Sequence, residues 1–236
     1  MKRHAPLLFC STFLMLITLS CTENQIPVID ESLRPFLEAD GLVVVEAENF
    51  HSISANNTER AWYLINGEDE VALATTDHTM NASGGAYIEG LPDTRTTHDD
   101  SLIVGINFYP EAGVGPFLSY NVWFDTPGLY TVWARAYSTG TEDNGIHAGL
   151  NGAWPEAGQR MQWCDGKEQW TWASAQRVPE NHCGSPGTIH IEIEKAGLHS
   201  IQFSMREDGF EFDKWLMTLD ATMVPEGVGP SESVRK

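Results

Sequence analysis

Between residues 130 and 137 the chain changes character at every position. Tyr130, Val132, Ala134 and Ala136 alternate with Thr131, Trp133, Arg135 and Tyr137. The same period returns where Ile189, Ile191 and Ile193 alternate with His190, Glu192 and Glu194. A period of two places every second side chain on one face, which suits a half-buried strand and excludes a helix. Read this way, the chain holds ten candidate strands, at 42–48, 61–65, 86–89, 117–124, 130–137, 145–150, 170–177, 188–194, 199–205 and 211–219. Turn formers separate them: Thr126-Pro127-Gly128, Asp143-Asn144-Gly145, Asn151-Gly152, Ser185-Pro186-Gly187 and Ala196-Gly197. No apolar segment after residue 20 has the length and 3.6-residue period of a long helix. The expectation is an all-β chain, folded as one antiparallel β-sandwich of the jelly-roll kind.

The ends read differently. Lys2 and Arg3 precede an apolar run over 7–19, then Ser20 and Cys21, the pattern of a secretory signal over 1–20. Thr18-Leu19-Ser20-Cys21 resembles a bacterial lipobox, in which Cys21 would be acylated and become the mature N-terminus. Thr18 departs from the usual Leu, and an ordinary cleaved signal is the alternative. Lipidation would tie the protein to a membrane through the anchor alone, and Thr22 lacks the Asp that retains such lipoproteins at the inner membrane. That pattern implies an outer-membrane lipoprotein. Residues 21–40 read as a tether, 41–224 as the domain and 225–236 as a flexible tail.

With Cys10 in the signal and Cys21 at the lipid site, Cys164 and Cys183 remain. In an exported protein such a pair reads as a disulfide. Zinc would need more ligands than His182 beside Cys183 supplies.

Charge narrows the partners. The chain carries 14 Lys and Arg against 33 Asp and Glu, a formal net charge of −19. Loss of 1–20 removes Lys2 and Arg3 and no acid, leaving −21. Nucleic-acid binding is not expected, because phosphate affinity comes mainly from Lys and Arg. A neutral or cationic partner, or a metal ion, fits better.

Two stretches carry a family resemblance. Val43-Val44-Val45-Glu46-Ala47-Glu48-Asn49-Phe50, followed by Gly84-Gly85-Ala86-Tyr87-Ile88, opens the domain, and Phe210-Glu211-Phe212-Asp213-Lys214-Trp215-Leu216 closes it. This frame resembles the galactose-binding-like sandwiches of carbohydrate-binding modules, especially families 6 and 35. The middle, from Asp143 to Cys164, departs from their common members and resembles a branch appended to marine polysaccharide-degrading enzymes. The resemblance implies polysaccharide or oligosaccharide binding. It also implies a structural calcium held by Glu46, Glu48 and Asp213. The residues agree with that ion: carboxylates two apart on a strand share a face and repel unless a cation stands between them. Calcium takes six to eight oxygen ligands and would accept both, with Asp213. A solvated acidic edge is the plainer alternative.

Four of eight Trp residues, Trp154, Trp163, Trp170 and Trp172, fall within nineteen positions. An exposed aromatic plane stacks on the C–H face of a sugar while nearby amides and charges bind hydroxyls. Trp154, in a loop after an Asn-Gly turn, is the candidate platform, with Asn144, His147, Asn151, Arg160 and Gln162 as polar contacts. Trp170 and Trp172 share one strand face and are expected in the core, and Trp163 is expected against the disulfide. Asp208 and Glu207 offer further acceptors, though Gly209 fits a plain turn there.

An enzyme is the competing class. A lyase would need a base such as His147 with Tyr109 or Tyr120, and Arg135 or Arg160 against a uronate. A glycosidase would need two carboxylates at a set separation, and acids are too abundant here to single out a pair. A structural or adhesive surface lipoprotein is the third class. No spacing rule selects a catalytic set, so non-catalytic polysaccharide binding is the leading expectation.

Overall fold

The computed structural model describes residues 31–236 apart from 57, 69, 70 and 75. The expected signal and Cys21 lie outside the described residues. Thirteen strands follow in chain order: β1 (Phe36–Leu37), β2 (Leu42–Glu46), β3 (Ser52–Ser54), β4 (Ala61–Ile65), β5 (Tyr87–Leu91), β6 (Phe117–Phe124), β7 (Gly128–Tyr137), β8 (Gly145–Leu150), β9 (Met161–Gln162), β10 (Trp170–Ala173), β11 (His190–Ile193), β12 (Gly197–Met205) and β13 (Glu211–Thr218). They build two sheets. One runs β1-β6-β12-β8-β9 with β3 also on β6; the other runs β10-β7-β13-β5-β4, with β11 also on β7 and β2 on β13. The fold is an all-β sandwich, antiparallel except where β1 runs parallel to β6.

Alternation does what the sequence pattern requires. Leu118, Tyr120, Val122 and Phe124 of β6 meet Val132, Ala134 and Ala136 of β7, Phe203 of β12 and Trp215 of β13 in one buried core. A bulge interrupts β13: Phe212 opposes Ala136 and Lys214 opposes Arg135, leaving Asp213 as the extra residue. The slip lets Phe212 and Trp215, three apart, both enter the core, and it turns Asp213 and Lys214 together into a charged layer.

The first expected strand is shorter than its pattern. β2 ends at Glu46, and Ala47–Asn49 is a 3₁₀ turn, so Glu46 and Glu48 do not share a strand face. The expected strand over 170–177 pairs with β7 only as far as Ala173; beyond it Gln176 bridges to Met161 of β9 instead.

Both ends of the described chain belong to the sandwich. Phe36, read from sequence as tether, is fully buried in the core. Glu38 is buried at the β1–β2 corner, where its carboxylate accepts the amides of Gly41, Asp125 and Thr126. The segment after 225, read as a free tail, runs back along β2 and β1. Ser233 exchanges hydrogen bonds with Val44, Glu232 accepts the Glu46 amide, and Leu37 donates to Val234. The Arg235 guanidinium stacks 4.0 Å over Phe36. Backbone and side-chain hydrogen bonds and a cation–π contact hold a polar segment that has no strand pattern of its own.

Candidate functional site

The outer face of the second sheet carries one row of side chains in register across five strands. Trp170 opposes Tyr137, Tyr137 opposes Glu211, Glu211 opposes Glu89, and Glu89 opposes Tyr63. Directly opposed residues of antiparallel strands point to the same side, so the row is continuous: two aromatics, two acids, one aromatic. Its ends are half-buried and its acids are buried.

His78 caps the row from the segment before β5. Its ring stacks on Tyr137 with centroids 3.8 Å apart and planes at 16°. Its Nδ1 stands 2.9 Å from both carboxylate oxygens of Glu211. That hydrogen bond raises the His78 pKa, while burial pushes Glu211 up against the same bond. Trp170 donates its indole N–H to the His78 carbonyl (3.1 Å) and lies edge-on to Tyr137 at 5.5 Å. The plane of the indole is thereby fixed. A cavity of about 410 Å³ opens here, lined by His78, Arg135, Tyr137, Glu168 and Trp170 among others. That volume lies within the ~300–1,000 Å³ of small-molecule sites.

Deeper along the row, Glu89 is pushed up to about 8, by burial first and then by Glu211, Asp93 and Asp143. Its Oε2 and the Oδ1 atoms of Asp93 and Asp208 are buried without a partner. Burial, then Asp208 and Asp143, likewise pushes Asp93 up to about 6.

The second charged layer holds the expected calcium residues. Glu46 Oε1 accepts from Lys214 (2.8 Å) and from the Ser83 hydroxyl (2.9 Å). Asp213 takes the Arg135 guanidinium at 2.6 Å and the Ser83 amide at 2.6 Å. Two protein cations therefore already sit among these acids. Glu46 Oε2 and Glu48 Oε2 remain buried and unpartnered. Burial pushes Glu48 up to about 8, with Glu46, Asp213 and Glu232 adding like-charge repulsion against its own backbone hydrogen bond. Among the described residues, no group of three or more His, Cys, Asp or Glu is arranged to hold a metal ion as it stands. The leftover donors are hard carboxylate oxygens, the kind calcium takes.

The residues singled out around Trp154 are not gathered at one surface. Trp154 lies half-buried against Gly113 and Gly149, where a β-carbon would overlap its indole, and edge-on to Phe117 at 6.0 Å. His147 is fully buried; Nε2 donates to the Tyr109 carbonyl (3.1 Å) and Nδ1 accepts from the Arg160 amide (3.0 Å). Burial drops its pKa to about 4, so it is a neutral interior ring and not a base facing substrate. Asn144 and Gln162 are buried and bonded to each other. Asn144 also donates to the Trp163 carbonyl at 2.8 Å. Asp208 is fully buried, with Oδ2 bound by Arg60 and by the amide and hydroxyl of Thr94. Arg160 pairs with Glu156 and donates to the Arg177 carbonyl. Asn151 is exposed at a turn, holding Ser200 and His199.

Of the aromatic cluster, Trp163, expected against the disulfide, is buried in the core on Phe210, and Trp170 and Trp172, expected in the core, lie on the outer face. The Cys164–Cys183 disulfide is present, with Cα atoms 5.6 Å apart. Sequence reading missed Tyr137, His78, Glu89 and Glu211. Tyr137 and Trp170 each stand on the polar side of an alternating strand, the one local signal they give.

A family model described as the glycosyl hydrolase family 115 C-terminal domain matches residues 35–232. The curated Uncharacterized protein P23 of Formosa agariphila is 52% identical over 200 residues, 83% of this chain and 48% of that protein. The chain thus spans about half the length of this curated relative. Among solved structures, a native family 35 carbohydrate-binding module from Clostridium thermocellum aligns with TM-score 0.45 and 14% identity, over 75% of this chain and 96% of that one. A Podospora anserina GH26-CBM35 β-(1,4)-mannanase aligns with TM-score 0.45 and 13% identity, over 82% of this chain and 31% of that one. Neither likeness assigns a residue.

Proposed function

The chain belongs to the family of glycosyl hydrolase family 115 C-terminal domains, and on that premise we propose that it is a non-catalytic polysaccharide-binding module. The contact surface of the proposal is the Trp170–Tyr137–His78 end of the cross-strand row. The observation that carries it is the fixed, half-exposed indole of Trp170 beside Tyr137, flanked by buried acids and Arg135 at an open cavity. Flat aromatic faces accept sugar C–H faces, and the flanking polar groups bind hydroxyls. Retention on insoluble or immobilised polysaccharides, scanned over a broad glycan panel with calcium present, tests this. Retention on at least one glycan that Trp170→Ala weakens is the expected result. No retention across the panel removes the reading.

Calcium held by Glu46, Glu48 and Asp213 forms part of the same proposal. Its support is the pair of orphaned carboxylate oxygens and the like-charge crowding at Glu48. Bound there, the ion would neutralise that crowding and tie β2 to β13; Lys214 and Arg135 would stay as the fixed cations. Calcium is expected to raise the melting temperature above that of chelator-treated protein, and Glu48→Gln to remove the difference. Equal melting of wild type in both conditions rules the ion out.

Export as an outer-membrane lipoprotein acylated at Cys21 completes the reading. Fatty-acid labelling that Cys21→Ala abolishes is the expected result.

A catalytic reading has one observation in its favour. Glu89, a carboxyl held neutral to about pH 8 beside Glu211, is the sort of group that serves as a general acid. New reducing ends or unsaturated uronate absorbance, lost in Glu89→Gln, would establish it. Their absence across the same panel would leave binding alone.

A further inference from the structure

The indole of Trp170 has a second support besides His78 and Tyr137. Arg135 places its guanidinium carbon 5.6 Å from the centre of the Trp170 ring. Register explains the approach: Arg135 opposes Trp172 and Tyr137 opposes Trp170, so the arginine stands on the same outer face. Only 4% of Arg135 is exposed, and its donors are spent on three separate segments. Nη1 donates to Asp213 of β13 at 2.6 Å, Nη2 to the Asn81 carbonyl at 3.2 Å, and Nε to the Gly227 carbonyl at 2.9 Å. Asn81 ends the 3₁₀ turn that follows His78, whose carbonyl takes the Trp170 N–H. A guanidinium holds its donors in one rigid plane, so losing one acceptor lets the plane turn and loosens the other two.

The acceptor at Gly227 comes from the C-terminal segment, and the local sequence is built to deliver it. Glu226-Gly227-Val228-Gly229 is a turn closed by the Gly229 amide on the Glu226 carbonyl at 2.9 Å. Both glycines sit at positive φ, 56° and 71°, where a side chain would be strained. The turn presents the Gly227 carbonyl to Arg135 Nε and to the Trp172 indole N–H together. Gly229 lies directly on Trp172: a β-carbon there would stand 2.5 Å from the ring. Val228, between the glycines, is 54% exposed.

We propose that the turn over 226–229 is a positioning element of the Trp170 groove, setting glycan affinity through Arg135 without touching the glycan. This rests on the carbohydrate-binding reading above. With the turn docked, the Trp170 plane and the segment after His78 are ordered before a ligand arrives. With it displaced, part of the binding free energy goes to ordering them. Linkage makes the relation mutual: a turn that raises glycan affinity is itself held more firmly when glycan is bound.

The test displaces the turn without shortening the chain. Gly229→Ala drives a methyl group into the Trp172 ring at an unfavourable φ. Calorimetric titration with the glycan that the wild type retains is expected to show Kd raised about fivefold in Gly229→Ala and unchanged in Val228→Ala. Arg135→Lys keeps the charge beside Asp213 but loses the fork. It should weaken binding to a like degree, and adding Gly229→Ala to it should weaken binding no further. A turn that served stability alone would lower the melting temperature and show no such non-additivity. Hydrogen exchange on the wild-type chain covers the case in which Gly229→Ala folds poorly: the Gly229 amide should exchange about fivefold more slowly with glycan bound. A Kd in Gly229→Ala within about twofold of wild type, additive losses in the double variant, or exchange at Gly229 indifferent to glycan overturns the proposal and leaves the module reading standing. Glycan binding that Trp170→Ala leaves intact moves the platform elsewhere and takes this proposal with it. No retention by the wild type removes the module reading itself.

Discussion

Trp170 is useful because it is not free. Its N–H is committed to the His78 carbonyl and its ring edge to Tyr137, so a ligand orders no side chain when it stacks there. Removing the ring in Trp170→Ala should weaken glycan binding about two- to twelvefold, matching the ~0.5–1.5 kcal/mol of one aromatic contact. Calorimetric Kd values for the retained glycan check it; a change under twofold would move the platform elsewhere. His147 gives the opposite expectation. Its two ring nitrogens join the Tyr109 carbonyl to the Arg160 amide inside the sandwich, away from the cross-strand row. His147→Ala should cost roughly 1–3 kcal/mol in denaturant unfolding, through the unmet partners, and leave glycan Kd unchanged. A lost affinity with intact stability would return His147 to the site.

At the scale of elements, the C-terminal segment acts as a strap. It satisfies the edge of β2 at Val44 and Glu46 and reaches the outer layer, where Gly227 accepts from Arg135 and Trp172. Truncation after Pro225 would leave those donors and the β2 edge to water, and should lower Tm by about 5 °C or more in a domain of this size. A Tm within a degree of the full chain would show the strap to be idle. Local alternation could not disclose it: Ser233 meets Val44 only because the topology returns the chain there, and neither residue's neighbours encode that pairing. The two sheets were legible for the converse reason. Tyr130 to Tyr137 carry their own period, and the period alone sorts inside from outside. The candidate site fell between these cases. Tyr137 stands on the polar side of its alternating strand but was passed over, Trp170 was expected in the core, and their alignment with Glu211 and Glu89 depends on the register of β10, β7, β13 and β5. The strand reading of 42–48 misled because a 3₁₀ turn, not a strand, follows Glu46. Trp154 misled because two glycines on other segments, Gly113 and Gly149, open a bed for its ring.

At the scale of the whole molecule, a net charge of −19 would matter little if all the acids were solvated. They are not. Glu48 and Glu89 are pushed up to about 8 and Asp93 and Asp213 to about 6, in each case by burial first. In the unfolded chain such groups titrate near ~4. Between those values the folded state holds more protons than the unfolded one, so stability is complete below the unfolded pKa and is lost as pH rises through the folded one. His147, held down to about 4, works in the other direction, but only below its unfolded value near ~6.5. From about pH 6 to about pH 8.5 the carboxyls therefore decide the sign. In chelator, Tm should fall steadily across that window as Glu89 and Glu48 are forced to ionise without compensation. Calcium should remove the share that belongs to Glu48, because an ion there makes the charged form the stable one. The share of Glu89 should persist in calcium and vanish in Glu89→Gln. Melting curves at both pH values, with chelator and with calcium, separate these contributions. A Tm that stays level or rises with pH in chelator would mean that these acids are already compensated, and would remove the reason for an ion at Glu48.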